Sequence, residues 1–544
     1  MEIIKMKNNK ATSSKEKKEE VPTTPCQGPK TQLLLFLRQW FFLVLLPSFA
    51  SAACDQVDHE ALLSLASKVS SSPPLNWSAS TNCCLWEGIL CNQDDQRVIR
   101  ASLPGRGLNG VISPYITNLT YLTHLNLAWN SLSGPLPDDL FSSLSSNGNN
   151  YTSLTILDLS FNKFTGLVPP GLGACFKLQV FRTGFNYLSG SLPDDIYDAA
   201  NLQELSLPVN HISGVISDDI TRLKNLKILW LTSNQFSGPI PSHIVSTTGD
   251  HSAFNFSTLQ HLTKLDLGNN NFTGELSQSL YSCKSLTAIR LAKSDHSEPL
   301  PDYDNIVEPD GFHNLQLLAL EGCQFAGQLP TWLANLKNLQ VLDLAFNLIT
   351  GGLPNMLCGL PVLTPKEAVD QVERGYLEMP IFVMSSNANN QKYKQLSKLP
   401  PAIYLGSNNI SGKIPIEIGQ LKFVHYLDLS HNNFSGRIPD QISNLTNLER
   451  LDLSHNHLSG EIPASLKGLN FLSFFSVPYN DLQGLVPTGS QFDTLPPPAL
   501  KEIQAYVALQ LRTALALKAF KAFHQYIQLR RDITGRSCLL QLSL

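Results

Sequence analysis

The sequence predicts an α/β leucine-rich-repeat solenoid, a right-handed superhelix with an N-terminal disulfide cap and an island insertion. Three observations carry that reading: a self-similarity with a period of twenty-four, an asparagine fixed within it, and a cysteine-rich segment ahead of the first repeat. The period is plainest in LDLSHNNFSGRIP at 427–439 and LDLSHNHLSGEIP at 451–463. The last leucine-like residue of each LxxLxLxxN block falls at Leu103, Leu127, Leu159, Thr183, Leu207, Leu231, Leu267, Leu291, Leu320, Leu344, Leu405, Leu429, Leu453 and Val477, which marks fourteen repeats. Nine of the thirteen steps between markers have the same length, the one that separates Leu429 from Leu453. The other four, 32, 36, 29 and 61, are longer, as expected when insertions sit on loops and the strand core is kept.

Within one repeat, Leu451 and Leu453 alternate with Asp452 and Ser454, so a short strand points leucines into the stack and polar groups onto the concave face. Asn456 follows inside the turn, where an amide can both donate to and accept from backbone groups that would otherwise be buried unpaired. Asn130, Asn162, Asn186, Asn210, Asn234, Asn270, Asn347, Asn408 and Asn432 hold the same place. Leu458, Gly460, Ile462 and Pro463 complete the turn and open the convex side. No repeat buries its apolar face alone, so stability is a sum over neighbour interfaces and both ends need caps.

The N-terminal cap precedes the repeats. Residues 58–68 read as a short helix with Asp58 at its start, followed by Trp77, Cys83, Cys84, Trp86 and Cys91. With Cys54 there are four cysteines and three connectivities, of which Cys54 with Cys83 and Cys84 with Cys91 is the preferred pairing. Such a framework belongs to an oxidising compartment. Ala50, Ser51, Ala52 and Ala53 offer a small-residue cleavage site behind an apolar run at 40–46, preceded by a long leader rich in lysine. Eight glycosylation sequons follow, at Asn76, Asn118, Asn150, Asn255, Asn271, Asn409, Asn433 and Asn444, several of them created by the repeat consensus itself. The organisation expected is leader and signal at 1–53, cap at 54–97, repeats 1–10 at 98–355, an island at 356–399, repeats 11–14 at 400–487, and an atypical tail at 488–544. A net charge of −4 and 42% hydrophobic residues give no basic excess that would argue for nucleic acid.

The LxGxIP repeats, the NCCLWEGILC cap and the segment GYLEMPIFV…NNQKYKQLSKLPPAIYLGSNNISGKIPIEIGQLKFVHYLDLS resemble plant leucine-rich-repeat receptors of the tyrosine-sulfated peptide group. The resemblance is to the receptor for PSY-type glycopeptides and to the phytosulfokine receptors, over about residues 54–495. It implies plant-type repeats, a secreted peptide ligand, an island that forms the peptide-binding wall, and a leucine-rich-repeat kinase co-receptor of the somatic-embryogenesis type that docks near the last repeats. Phytosulfokine receptors carry a basic residue in the island strand, whereas Val383, Met384, Ser385 and Ser386 supply none here, which speaks against phytosulfokine as the ligand. Near 294–301 the repeat also loses its asparagine and glycine.

The longest step, from Leu344 to Leu405, holds the island. Its residues Tyr376, Leu377, Glu378, Ile381, Phe382, Val383 and Ser385 flank Pro380 in a strand-like run, and a strand with an unpaired edge can take an extended peptide by strand addition. An anion site for sulfotyrosine needs arginine or lysine, and Arg182, Arg290 and Lys293 adjoin the strand leucines, with Trp230 as an aromatic platform. These same groups serve equally as solvated side chains of a polar concave face. After Thr494 the tail has no uncharged apolar run of the roughly 18 residues that a membrane span requires, so none is expected there. Arg512, Lys518, Lys521, Arg530 and Arg531 punctuate an alanine- and leucine-rich stretch that reads as an amphipathic helix or as an unrelated exon, and membrane association would run through the leader or this tail. Cys538 stands where a capping pair is expected, which predicts an uncapped last repeat.

No glycine-rich loop, catalytic HRD or DFG is present, and no metal-ligand spacing, so no enzyme, metal or cofactor is expected. The expected function is an extracellular receptor-like protein that binds a peptide hormone and signals through a kinase co-receptor, or serves as a decoy. The alternatives are a protein-binding defence module of the polygalacturonase-inhibitor kind and a nonfunctional fragment of a receptor kinase.

Overall fold

The computed structural model describes residues 54–141, 153–240, 256–294 without 275, 277 and 282, then 299–300, 312–364, 399–484, 486–495, 521 and 525; for 376–383 and 391–395 it describes the backbone alone. The leader and signal, Asn150, Asn255, Ser385, Cys538 and the tail helix, apart from Lys521 and Gln525, lie outside the described residues.

The chain enters through helix α1 (Gln56–Lys68). Its N-cap is Asp55, which accepts from the Val57 and Asp58 amides at 3.0 and 3.3 Å, ahead of the expected start at Asp58. Asp58 has a different task. It is fully buried, takes Arg97 through Nε at 3.0 Å and Nη2 at 2.9 Å, and accepts the Val98 amide at 2.7 Å. The pair clamps the cap onto the first repeat, and the Asp58 carboxylate raises the Arg97 pKa. Cys54 is bonded to Cys83 and Cys84 to Cys91.

The concave side is a single 15-stranded sheet. Ile89–Cys91 pairs antiparallel with Val98–Ser102, and every later strand joins in parallel. The fourteen strands from Val98–Ser102 to Phe474–Ser476 each end directly before one of the markers Leu103 to Val477. Insertions leave the register intact: Trp230 pairs with Asp266 across the step from Leu231 to Leu267, and Asp343 with Tyr404 across the island step.

The asparagine ladder holds these coils at one spacing. Asn432 donates from Nδ2 to the carbonyls of Leu405, Leu429 and Ser430 at 2.9, 3.3 and 3.0 Å, and its Oδ1 accepts the Ile410 amide at 3.0 Å. Asn480 repeats the pattern and extends the ladder into repeat 14. The residue just before each ladder asparagine is left-handed, as at Trp129 (φ 60°), His431 (φ 51°) and Tyr479 (φ 58°), an unfavourable region for these side chains that the bonds on either side enforce.

The LxGxIP half of the repeat does more than turn. Among the described residues it builds a second set of strands, eight from Val69–Ser70 to Asn271–Thr273, of which Val69–Ser70 joins antiparallel and the rest in parallel, a parallel pair of Ala326–Gln328 with Leu348–Thr350, and four parallel strands from Ser411–Lys413 to Asp481–Gln483. Gly460 sits left-handed there (φ 82°), and a Cβ on it would lie 3.1 Å from Arg437 Cγ. Between those blocks both regular features break. Ser294 and Cys323 replace the ladder asparagines of repeats 8 and 9, and among the described residues the second sheet thins to the bridges Pro299 to Ala326 and Gly352 to Ser411 on either side of the strand pair Ala326–Gln328 and Leu348–Thr350. Cys323 imitates the amide by donating from Sγ to Leu291 O at 3.1 Å; burial pushes its thiol up to about 12, so it stays a donor. Ser294 Oγ is buried and, among the described residues, has no partner.

The last repeat is not left open as expected. Phe492 and Leu495 are buried at 1% and 3% exposure, and Phe492 meets Phe475 edge-on at 5.3 Å, so the turn Ser490–Thr494 covers the apolar end of the stack.

Asn432→Ala strands three carbonyls and one amide in a dry turn, and is expected to cost about 2–4 kcal/mol. Ser294→Asn restores the missing rung and is expected to keep or raise stability. Urea unfolding of the two variants beside the parent tests the opposite signs.

Candidate ligand-binding face

Each concave strand presents two outward side chains, at one and three positions before its marker. Arg182 is the outward residue of repeat 4, Trp230 of repeat 6 and Arg290 of repeat 8. At about 4.8 Å per strand, Arg182 and Arg290 lie about 20 Å apart along the sheet, so they do not form one anion site.

Nor is Arg182 an open cation. Its Nε and Nη2 donate to Glu204 Oε1 and Oε2 at 2.6 and 2.5 Å, and its Nη1 lies 3.8 Å from Asp158. The bidentate fork that would hold a sulfate is filled by a carboxylate. Arg290 is paired more loosely, 3.6 Å from Asp266. Lys293 is exposed and left-handed (φ 60°), two positions past its marker, which puts it on the rim rather than the floor. Trp230, the aromatic platform of the sequence reading, is 8% exposed, clustered with Ile228 and set edge-to-face with Phe185 at 6.5 Å, so it forms part of the concave floor.

The acidic residues of this face have a local explanation. Asp158, Asp266, Asp343, Asp428 and Asp452 all stand one position before a marker. Each accepts the amide two positions on, at 3.1, 3.1, 3.1, 2.9 and 3.0 Å, closing the turn after the strand. Burial raises the pKa of Asp266 and Asp428, and burial with the nearby Glu321 carboxylate lifts Asp343 to about 7.

The floor of repeats 8–11 was missed by sequence reasoning. Ala288, Leu317, Ala319, Val341 and Ala402 are buried outward positions and form one apolar cluster with Leu399, against which Tyr404 and Tyr426 pack. Treating concave positions as polar hid it, although the run LQLLALEGC at 315–323 breaks the alternation openly. Leu399 closes the island, so the insertion returns to the solenoid directly over this floor.

The island itself is a hairpin. Tyr376–Val383 pairs antiparallel with Gln391–Gln395, with a register shift between Tyr376 and Ile381 around Pro380. Tyr376, Leu377, Glu378, Ile381, Phe382 and Val383 therefore share one strand, and among the described residues the hairpin is a two-stranded sheet of its own. Six sequon asparagines, Asn76, Asn118, Asn271, Asn409, Asn433 and Asn444, are exposed, as a glycan requires. No described helix is long and apolar enough to cross a membrane.

Asp343 gives a pH signature. Its native pKa of about 7 exceeds the ordinary 3.8, so the folded state holds this proton more tightly than the unfolded chain. That stabilisation is complete below pH 3.8 and disappears as pH rises towards 7. Asp343→Asn keeps the Oδ1 acceptor and removes the titration; its melting temperature is expected to fall less than the parent's between pH 5 and pH 8.

A leucine rich repeat N-terminal domain profile matches residues 55–92, and leucine rich repeat profiles match seven segments between 121 and 469. The chain is 35% identical to Receptor-like protein 3 of Arabidopsis thaliana, over 75% of this chain and 79% of that protein. It is 39% identical to Phytosulfokine receptor 2 of the same plant over 28% of this chain, which is 16% of the receptor. The plant peptide hormone receptor RGFR1, solved in complex with RGF2, superposes with a TM-score of 0.53 at 27% identity, covering 69% of this chain and 54% of that one. With the repeats, the cap and the cover of Receptor-like protein 3 together, the chain belongs to the family of plant leucine-rich-repeat receptor-like proteins and receptor-kinase ectodomains.

Proposed function

We propose that this chain is an extracellular receptor-like protein that binds a secreted peptide hormone on the concave side of repeats 8–11, with the island hairpin as the wall. The observation that carries the reading is the apolar floor of Ala288, Leu317, Ala319, Val341 and Ala402, continuous with Leu399 at the island's exit. An extended peptide gains affinity by laying main-chain groups along a strand and by burying alternate side chains on such a floor. The presence of a peptide hormone receptor among the structural relatives supports the ligand class.

In this reading a sulfated tyrosine belongs with Arg290 and Lys293, both on repeat 8 and on the island side of the solenoid, rather than with Arg182, whose guanidinium already holds Glu204. In the same reading the signal passes to a leucine-rich-repeat receptor-kinase co-receptor of the somatic-embryogenesis type, or ends with the captured peptide if the protein serves as a decoy.

Calorimetry of the secreted chain with PSY-type peptides, sulfated and unsulfated, and with phytosulfokine, tests the assignment. Tight binding of the sulfated peptide is expected. Removing the sulfate, or replacing residues 376–386, is expected to weaken it at least about tenfold, which is about 1.4 kcal/mol. A folded, monodisperse protein that binds none of these peptides overturns the reading.

A further inference from the structure

A second surface lies away from the apolar floor, on the flank of the last three repeats. His431 and His455 stack at 3.9 Å with 20° between their planes, and His455 stacks on Tyr479 at 4.1 Å and 19°. All three occupy the left-handed position before a ladder asparagine, so the backbone places their side chains in one row at the spacing of the coils. His431 and Tyr479 are exposed and His455 is half-buried. Repeat 11 carries Ser407 in the same row, so the column begins at His431.

Two imidazoles in face contact share one problem. Protonating both places like charges about 4 Å apart, which is unfavourable unless an anion lies along their edges. Burial and the His431 ring both lower the His455 pKa, and Asp452 raises it. The other charged neighbours are Asp428, three residues before His431, Arg450 on the strand Arg450–Asp452, and the His425–Glu449 pair (2.8 Å) just ahead of the two strands. Burial raises the Asp428 pKa, against hydrogen bonds from Ser430 that lower it. Acidification adds positive charge to a pair of stacked imidazoles whose nearest carboxylate is Asp452.

We propose that the His431–His455–Tyr479 column is a proton-linked docking site for a carboxylate-rich segment of a polypeptide partner. A carboxylate set across the ring edges accepts N–H donors from both imidazoles and offsets their repulsion, so binding takes up protons and tightens as pH falls. Tyr479 closes the column with an apolar face and a hydroxyl. The site is independent of the peptide floor and stands or falls without it.

The test uses the full secreted chain and the peptide hexaaspartate, whose carboxylates are ionised at both pH 5.5 and pH 7.5. Calorimetry in buffers of different ionisation heat is expected to show at least about tenfold tighter binding at pH 5.5, the effect of a single unit of histidine pKa shift, with net proton uptake. Hexaasparagine is the uncharged control. The double variant His431→Asn, His455→Asn retains a residue that tolerates the left-handed backbone and is expected to bring the two affinities within about twofold. Its melting temperature, compared with the parent's, separates loss of the site from loss of the fold; the single variant Tyr479→Phe, which keeps the stack, is expected to preserve the pH dependence. Equal affinity at the two pH values, an unchanged pH dependence in a folded double variant, or no binding of hexaaspartate at pH 5.5 each overturns the proposal.

Discussion

In most coils of this solenoid the chain turns at a place too deep for water, and there one asparagine amide, as at Asn432, satisfies three carbonyls and one backbone amide drawn from two successive coils. No other side chain of that size offers two donors and an acceptor in one plane. The ladder therefore fixes both the conformation of the turn and the distance to the next one. The left-handed residues before it, the straight parallel register of the concave sheet and the tolerance of insertions follow from that bond set. Where the ladder lapses, at Ser294 and Cys323, the second sheet thins to isolated bridges and one pair of strands, and the Cys323 thiol, 3.1 Å from Leu291 O and 3.6 Å from Glu321 O, stands in for the amide.

The concave side shows how function is laid onto such a frame. At repeats 3, 7, 10, 12 and 13 an aspartate closes the turn after the strand, so acidic groups recur for structural reasons. The informative residues are those that depart from this pattern: Ala288, Leu317, Ala319, Val341 and Ala402 make an apolar floor next to the point where the island rejoins the solenoid. This stretch is already buried within the chain, so it marks where the concave side gives up its polar pattern to pack against the end of the island.

Much of the fold was legible because its constraints are periodic. The recurring LxxLxLxxN pattern placed a marker directly after each of the fourteen strands, even across the four longer steps, since each marker must point inward at the same depth. Non-periodic features were read less well. The helix start moved from Asp58 to Asp55 because Asp58 is claimed by Arg97, a partner far along the chain that no local pattern reveals. The second sheet was read as a turn because its strands are short and set by glycine conformation more than by hydrophobic alternation. Arg182 looked like an anion anchor until its neighbour one coil on, Glu204, was seen to occupy it; a comparison of charges one repeat apart would have found the pair.

The account's central claim is that ligand binding converges on the floor of repeats 8–11 and the island hairpin. Hydrogen–deuterium exchange of the secreted chain, with and without a bound peptide ligand, tests it most directly. The account predicts slowed exchange in the strands Leu317–Ala319, Val341–Asp343 and Ala402–Tyr404 together with Tyr376–Val383. Protection confined to repeats 1–6 or to the convex side, with these four strands unchanged, would contradict it.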